Sequence, residues 1–187
     1  MNYFETIKIE DYEIYNLPYH QKRISKTIGK NIDLQEYIYC PNNKLLKCKV
    51  LYDADDILDV RFDIYQKRNI KIFQLIYDDT IKYDYKYENR ENINALFSKG
   101  KNADEIIIIK NGFVTDTSIA NIAIELKGQW FTPKKPLLYG TTRQRYIDDE
   151  ILKECNITVK MLQSAKKIAL LNAMIDFDRI EEYILLV

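Results

Sequence analysis

The apolar run Glu105-Ile106-Ile107-Ile108-Ile109 runs through Lys110 into Asn111-Gly112, and that junction constrains the fold more than any other feature of the chain. Asn-Gly tolerates positive φ at both central positions of a two-residue turn, so it predicts a hairpin onto Phe113–Thr117. The run is too short for a helix of ordinary length and reads as a buried strand. Further strands are expected at 119–126 and 130–132, turning at Lys127-Gly128-Gln129, and at 167–171. Ile157–Met161 also reads as a strand. A helix capped by Thr141 or Thr142 is expected to continue through Ile147, Ile151 and Cys155, which recur at i, i+4 and i+8.

The first half is richer in strands. Tyr3–Ile9 and Tyr12–Tyr15 form a predicted hairpin. A helix follows from Pro18, with Ile24 and Ile28 on one face and Gly29 at its end. Leu45–Tyr52, Ile57–Tyr65 and Asn69–Tyr77 read as an antiparallel meander, and Glu88–Phe97 reads as a helix. A change of texture at 79–85 predicts two lobes, residues 1–82 and 83–187. The expected class is α+β.

Composition excludes several functions. Lys plus Arg equals Asp plus Glu at 28 each, so the chain lacks the basic field that nucleic acid or an anionic membrane would require. The 187 residues, 47% hydrophobic, suffice for one substantial core or two small ones. Three cysteines without a CxxC pair read as free thiols of a reducing compartment. One histidine, His20, with no cysteines at ligand spacing makes no metal site, and its place beside Ile24 and Ile28 suits packing. The start MNYFETIKIE shows no signal peptide, and no apolar run is long enough to span a bilayer. A cytoplasmic protein is expected.

Three places can carry chemistry. Lys86 lies in Tyr83-Asp84-Tyr85-Lys86-Tyr87, where desolvation by aromatic walls can free its amine as a nucleophile; a snorkelling lysine with a solvated tip fits the same pattern. Gly140-Thr141-Thr142-Arg143 opens a helix, where N–H groups, hydroxyls and the helix dipole suit a phosphate, although a threonine there can serve only as a cap. Asp116, in Val114-Thr115-Asp116-Thr117-Ser118, can hold a cationic nitrogen or bond to turn backbone.

The order of these pieces resembles a known family. Asp104-Glu105 through Gly112-Phe-Val-Thr-Asp116 to Asn121, Trp130-Phe131-Thr132-Pro133, and Leu138-Tyr139-Gly140-Thr141-Thr142-Arg143 are similar to the successive signatures of the class IV aminotransferases. Phe4-Glu5-Thr6, His20-Gln-Lys-Arg23 and Leu171-Asn172-Ala173 resemble further family segments. The resemblance implies a fold like that of D-amino acid aminotransferase, with an N-terminal α/β sandwich-like lobe and a C-terminal pseudo-barrel lobe. It implies pyridoxal 5'-phosphate as cofactor, held on Lys86 as an internal aldimine. Arg23, Thr141 and Thr142 are matched to the phosphate-binding positions, and Asn172 to the strand end at the cofactor. Asp116 stands where the family places a glutamate against the pyridine nitrogen, one methylene shorter. A homodimer is implied, and fifteen tyrosines suit such an interface.

Within the family, Lys86-x-x-Asn89-Arg90 resembles the pattern of 4-amino-4-deoxychorismate lyase, which forms 4-aminobenzoate and pyruvate. Branched-chain aminotransferases typically carry tyrosine where this chain has Glu91. An amino-acid aminotransferase of branched-chain or D-amino acid type is the alternative. A dimeric cofactor-binding protein without turnover is a third reading, because the family's opening strand and loop before Phe4-Glu5-Thr6 have no counterpart here and Asp116 stands at the family's glutamate position. Arg143 and Arg145 are candidates for a substrate carboxylate, although Arg143 can instead brace its helix.

Overall fold

The computed structural model describes residues 1–187, which divide into two compact units. The first comprises Met1–Lys67 and Tyr85–Asn89; the second comprises Arg68–Asp84 and Arg90–Val187.

In the first unit an antiparallel sheet has the order β2-β1-β3-β4, built from β1 (Tyr3–Glu10), β2 (Glu13–Ile14), β3 (Leu46–Tyr52) and β4 (Ile57–Ile64). Period-two alternation buries Leu46, Cys48, Val50 and Tyr52 of β3, and the register sets Ile7 against Cys48. Helix α1 (Leu17–Ile28) covers this sheet face with Leu17, His20 and Ile24, at i, i+3 and i+7. It ends at Gly29, whose φ of 73° lets its N–H reach back to the Ser25 carbonyl. Residues 86–88 run beside β1: the Phe4 N–H donates to the Lys86 carbonyl and the Glu88 N–H to Asn2, both at 2.9 Å.

The second unit is a nine-stranded mixed sheet with the path β10-β9-β8-β7-β6-β5-β13. In chain order its elements are β5 (Ile72–Tyr77), α2 (Glu91–Phe97), β6 (Glu105–Lys110), β7 (Phe113–Thr117), β8 (Asn121–Leu126), β9 (Gln129–Pro133), α3 (Thr141–Asp148), β10 (Leu152–Cys155), α4 (Val159–Ser164), β11 (Lys167–Asn172), β12 (Asp176–Ile180) and β13 (Ile184–Leu186). Strand β8 also pairs with β11, which carries β12. Strand β6 is buried from Glu105 to Ile109, as its unbroken isoleucines predict. Asn111 and Gly112 both take positive φ, 51° and 79°, and close the β6–β7 hairpin. The chain's single tryptophan, Trp130 of β9, meets Phe177 of β12 edge-to-face at 5.0 Å.

Three expectations are corrected. Residues 69–77 do not extend the first unit's antiparallel sheet; β5 instead pairs in parallel with β6 and β13, which lets Phe73 and Leu75 be buried. The helix beginning at Thr141 stops at Asp148, Glu150 takes φ 59°, and Leu152–Cys155 pairs in parallel with β9. The four-residue spacing of Ile147, Ile151 and Cys155 is met by a helix that breaks into a strand, leaving Ile151 exposed. Residues 159–164 are helical rather than extended, because the Thr158 hydroxyl accepts the Met161 N–H at 3.2 Å and Leu162 buries itself in the core. The cap outweighs the β-branched content of Ile157-Thr158-Val159.

All three cysteines are free; burial pushes the Cys48 thiol up to about 12. No helix is long and apolar enough to cross a membrane, and no cluster of His, Cys, Asp and Glu is arranged to hold a metal ion.

Replacing Thr158 with Ala is expected to cost about 1 kcal/mol in urea denaturation through loss of the α4 cap. An unchanged midpoint would show that the hydroxyl does not cap.

Candidate active site

In the first unit, alternation along β1 turns Tyr3, Glu5, Ile7 and Ile9 toward α1, and Phe4 toward the opposite face. Glu5 is thus a carboxylate at a core position, fully buried. Helix α1 supplies its partners from residues three apart. His20 Nδ1 lies 2.6 Å from Glu5 Oε2, Arg23 Nε donates to Oε1 at 2.7 Å, and Arg23 Nη2 donates to Oε2. Burial by itself would raise the Glu5 pKa; the Arg23 charge and the hydrogen bonds from His20 and Arg23 outweigh it and hold the carboxyl at about 2. Burial lowers the His20 pKa against the opposing pull of Glu5, so the imidazole is neutral and donates from Nδ1. Its Nε2 is buried without a partner.

Lys86 belongs to the same unit. Tyr87 bridges Tyr3 in an antiparallel pair, and the Tyr85 and Tyr87 rings lie 6.0 and 5.5 Å from the Tyr3 ring. The Lys86 Nζ stands 4.5 Å from the centre of the Phe4 ring, a cation–π contact that shelters the amine on one side.

In the second unit Asp116, the penultimate residue of β7, pairs with Asn121, which opens β8. Asn121 Nδ2 donates to Asp116 Oδ1 at 2.7 Å and to the Leu138 carbonyl at 2.8 Å; the Leu138 N–H donates to Asp116 Oδ2 at 2.8 Å. Burial pushes the Asp116 carboxyl up to about 6, although the bonds from Leu138 and Asn121 and the Arg143 charge pull the other way. Asn121 and Leu138 thereby tie the strand pair to the segment that enters α3.

At the α3 start Gly140 is extended (φ −73°), so its need is for space rather than for an unusual backbone. A Cβ there would lie 1.9 Å from Asn121 Oδ1. Thr141 and Thr142 are buried, and the Thr142 hydroxyl has no hydrogen-bond partner. The first turn of this eight-residue helix has no side-chain cap and carries a buried unpartnered hydroxyl, donors that an anion would satisfy. A phosphate fits this cradle, and the buried carboxylate of Asp116 suits a protonated ring nitrogen.

Other residues are committed to structure. Arg143 is buried and donates to the Pro133 carbonyl at 2.8 Å and to Glu154, bracing β9 and β10. Arg145 pairs with Asp176 on β12. Asn172 accepts the Met174 and Ile175 N–H groups and donates to the Ile119 carbonyl at 3.3 Å. The turn between Asp116 and Asn121 is held further by Glu105, which accepts the Ser118 N–H, and by Arg90, which donates to the Ser118 carbonyl. The sequence alone assigned no role to Glu5 or Asn121, and Gly140 entered only as the first residue of the candidate anion segment. The signal for Glu5 was present: an acidic residue at a core position of a strand, with His20 and Arg23 on the facing helix.

A family model described as amino-transferase class IV matches residues 91–183. An uncharacterized protein of Haemophilus influenzae is 35% identical over 182 residues, covering 91% of this chain and 96% of the relative. A crystal structure of a "putative 4-amino-4-deoxychorismate lyase" from Haemophilus somnus is 31% identical, with a TM-score of 0.84 over 92% of this chain and 96% of that one. The branched-chain amino acid aminotransferase of Escherichia coli has a TM-score of 0.74 over 97% of this chain and 76% of that one; at 16% identity the likeness is one of fold.

The Asp116 carboxyl titrates near 6 in the folded chain and near its ordinary value of 3.8 when unfolded. The folded state therefore binds this proton more tightly, and its stabilising effect is complete below pH 3.8 and lost as pH rises through 6. Asp116→Asn in the cofactor-free protein is expected to gain stability relative to the wild type, on the order of 2 kcal/mol, between pH 4 and 7. Urea denaturation across that range measures it, and parallel profiles would show that Asp116 titrates as an exposed carboxylate.

Proposed function

Because the chain belongs to the class IV aminotransferase family, whose members are pyridoxal-phosphate enzymes, we propose that it is a lyase of the 4-amino-4-deoxychorismate type, releasing 4-aminobenzoate and pyruvate. The observation that carries the lyase reading is the 31% identity to the Haemophilus somnus protein across nearly the whole of both chains. Lys86-x-x-Asn89-Arg90 supports it. An amino-acid aminotransferase is the second reading, favoured by the fold shared with the Escherichia coli branched-chain enzyme.

In either reading the same side chains act. Lys86 Nζ would hold the cofactor and, once a substrate amine had taken its place, would serve as the base for the proton on the carbon bearing that amine. Its contact with the Phe4 ring limits the solvation of the amine. Pyridoxal phosphate, when bound, supplies the electron sink for the charge left at that carbon. Asp116 would hold the ring nitrogen in its protonated form, its carboxylate being oriented by the bonds it accepts from Asn121 and Leu138. The α3 start, with the Thr141 and Thr142 hydroxyls, would receive the phosphate, and the family match gives Arg23 the part of a phosphate countercharge. Asn172 contributes by bracing the 117–120 turn. We infer a homodimer from the family, to be read by analytical ultracentrifugation.

Titration of the purified protein with pyridoxal phosphate is expected to produce a visible band that borohydride converts to a covalent adduct and that Lys86→Ala lacks. Incubating the loaded protein with aminodeoxychorismate should then release 4-aminobenzoate and pyruvate. Conversion to the pyridoxamine form by an L- or D-amino acid, with no 4-aminobenzoate, would establish the second reading. A folded protein with no band would overturn both.

A further inference from the structure

We propose that Glu5 and His20 are positioning residues that fix the Arg23 guanidinium in the orientation with which it grips the cofactor phosphate. The inference rests on the assignment of Arg23 to the phosphate.

A buried carboxylate needs compensation from its surroundings, and at the position of Glu5 an apolar side chain like those of Ile7 and Ile9 would need none. What Glu5 provides is geometry. Its two oxygens take Arg23 Nε and Nη2, a two-point contact that sets the plane of the guanidinium as well as its distance. A guanidinium carries five N–H donors, and this contact engages one edge of the fork, so the Nη1 end is directed away from Glu5. His20 fixes the carboxylate in turn through Nδ1. The side chain is fully buried and its Nε2 has no partner, a cost that a leucine or phenylalanine at the same place would avoid. The hydrogen bond to Glu5 is the one polar contact that accounts for an imidazole here. Helical spacing makes the arrangement possible, because residues 20 and 23 lie on one face of α1 and converge on a single strand position.

An ion pair that only clamps α1 to β1 would affect the binding of any pyridoxal compound alike. A device that aims Arg23 at a phosphate acts on the phosphate alone. The test compares the dissociation constants of pyridoxal phosphate and pyridoxal, read by absorbance on the full chain, with thermal melting as a check on folding. Glu5→Gln is expected to weaken pyridoxal phosphate binding about tenfold to a hundredfold while leaving pyridoxal within about twofold. His20→Phe should weaken pyridoxal phosphate about tenfold, and His20→Asn, whose amide can donate from near the position of Nδ1, should recover most of that loss. Should Glu5→Gln fail to fold, the two His20 variants decide the matter. Equal weakening of both ligands, or of neither in folded variants, overturns the proposal. Arg23→Gln separates the two levels of the argument. If it binds pyridoxal phosphate as the wild type does, the assignment of Arg23 is wrong; if it alone loses the phosphate-dependent part of the affinity, only the positioning roles fail.

Discussion

Strands β7 and β8 meet in a single pair, Asp116 with Asn121, and the second unit is organised around that junction. The pair closes the turn at 117–120, whose backbone is held by Glu105, Arg90, Asn172 and the Thr117 hydroxyl. Through Leu138 the same two side chains fix the approach to α3, and Asn121 fills the space that Gly140 leaves open. One hydrogen-bonded pair thereby sets both the acidic group and the helix start. Their separation is determined by backbone on either side rather than by flexible side chains, which is what a rigid cofactor requires.

Glu5 and Asp116 show how far environment decides the behaviour of a carboxylate. Both are buried, yet the first is held at about 2 and the second pushed up to about 6. The difference lies in the partners. Glu5 faces a full cation and a second donor, whereas Asp116 faces neutral amides, with Arg143 acting at a distance on a guanidinium already engaged by Glu154. Asp116 is therefore the carboxylate whose charge a cationic ligand would stabilise.

Much of this was legible in the sequence, and the exceptions share a cause. The hairpin at Asn111-Gly112, the helix ending at Gly29 and the buried β6 follow from local rules of turn chemistry and periodicity. The parallel partners of β5 and β9 do not, because parallel pairing joins residues remote in sequence and leaves no turn signature. The break after Asp148 was hidden by a spacing that both structures satisfy. Among the candidate residues, Lys86, Asp116 and the two threonines stood out by local chemistry and then by family resemblance, whereas Asn121 and Gly140 matter through a steric fit that only the folded chain displays. Glu5 lay between these cases: an acidic residue interrupting an apolar face shows that something must compensate it, but not what.

Trp130 gives the chain an asymmetric optical signature. It lies in the second unit, on β9, beside Phe177 and within 5.9 Å of the Arg179 guanidinium, whereas the first unit holds tyrosines and phenylalanines but no tryptophan. Emission excited at the red edge of the indole band therefore reports on the sheet that carries Asp116 and is silent about the one that carries Glu5 and Arg23. The Tyr3 cluster with Tyr52, Tyr85 and Tyr87 dominates the near-ultraviolet dichroism expected of the other unit. Followed together, the two signals would show whether the halves of the chain lose their structure in one cooperative step or in two.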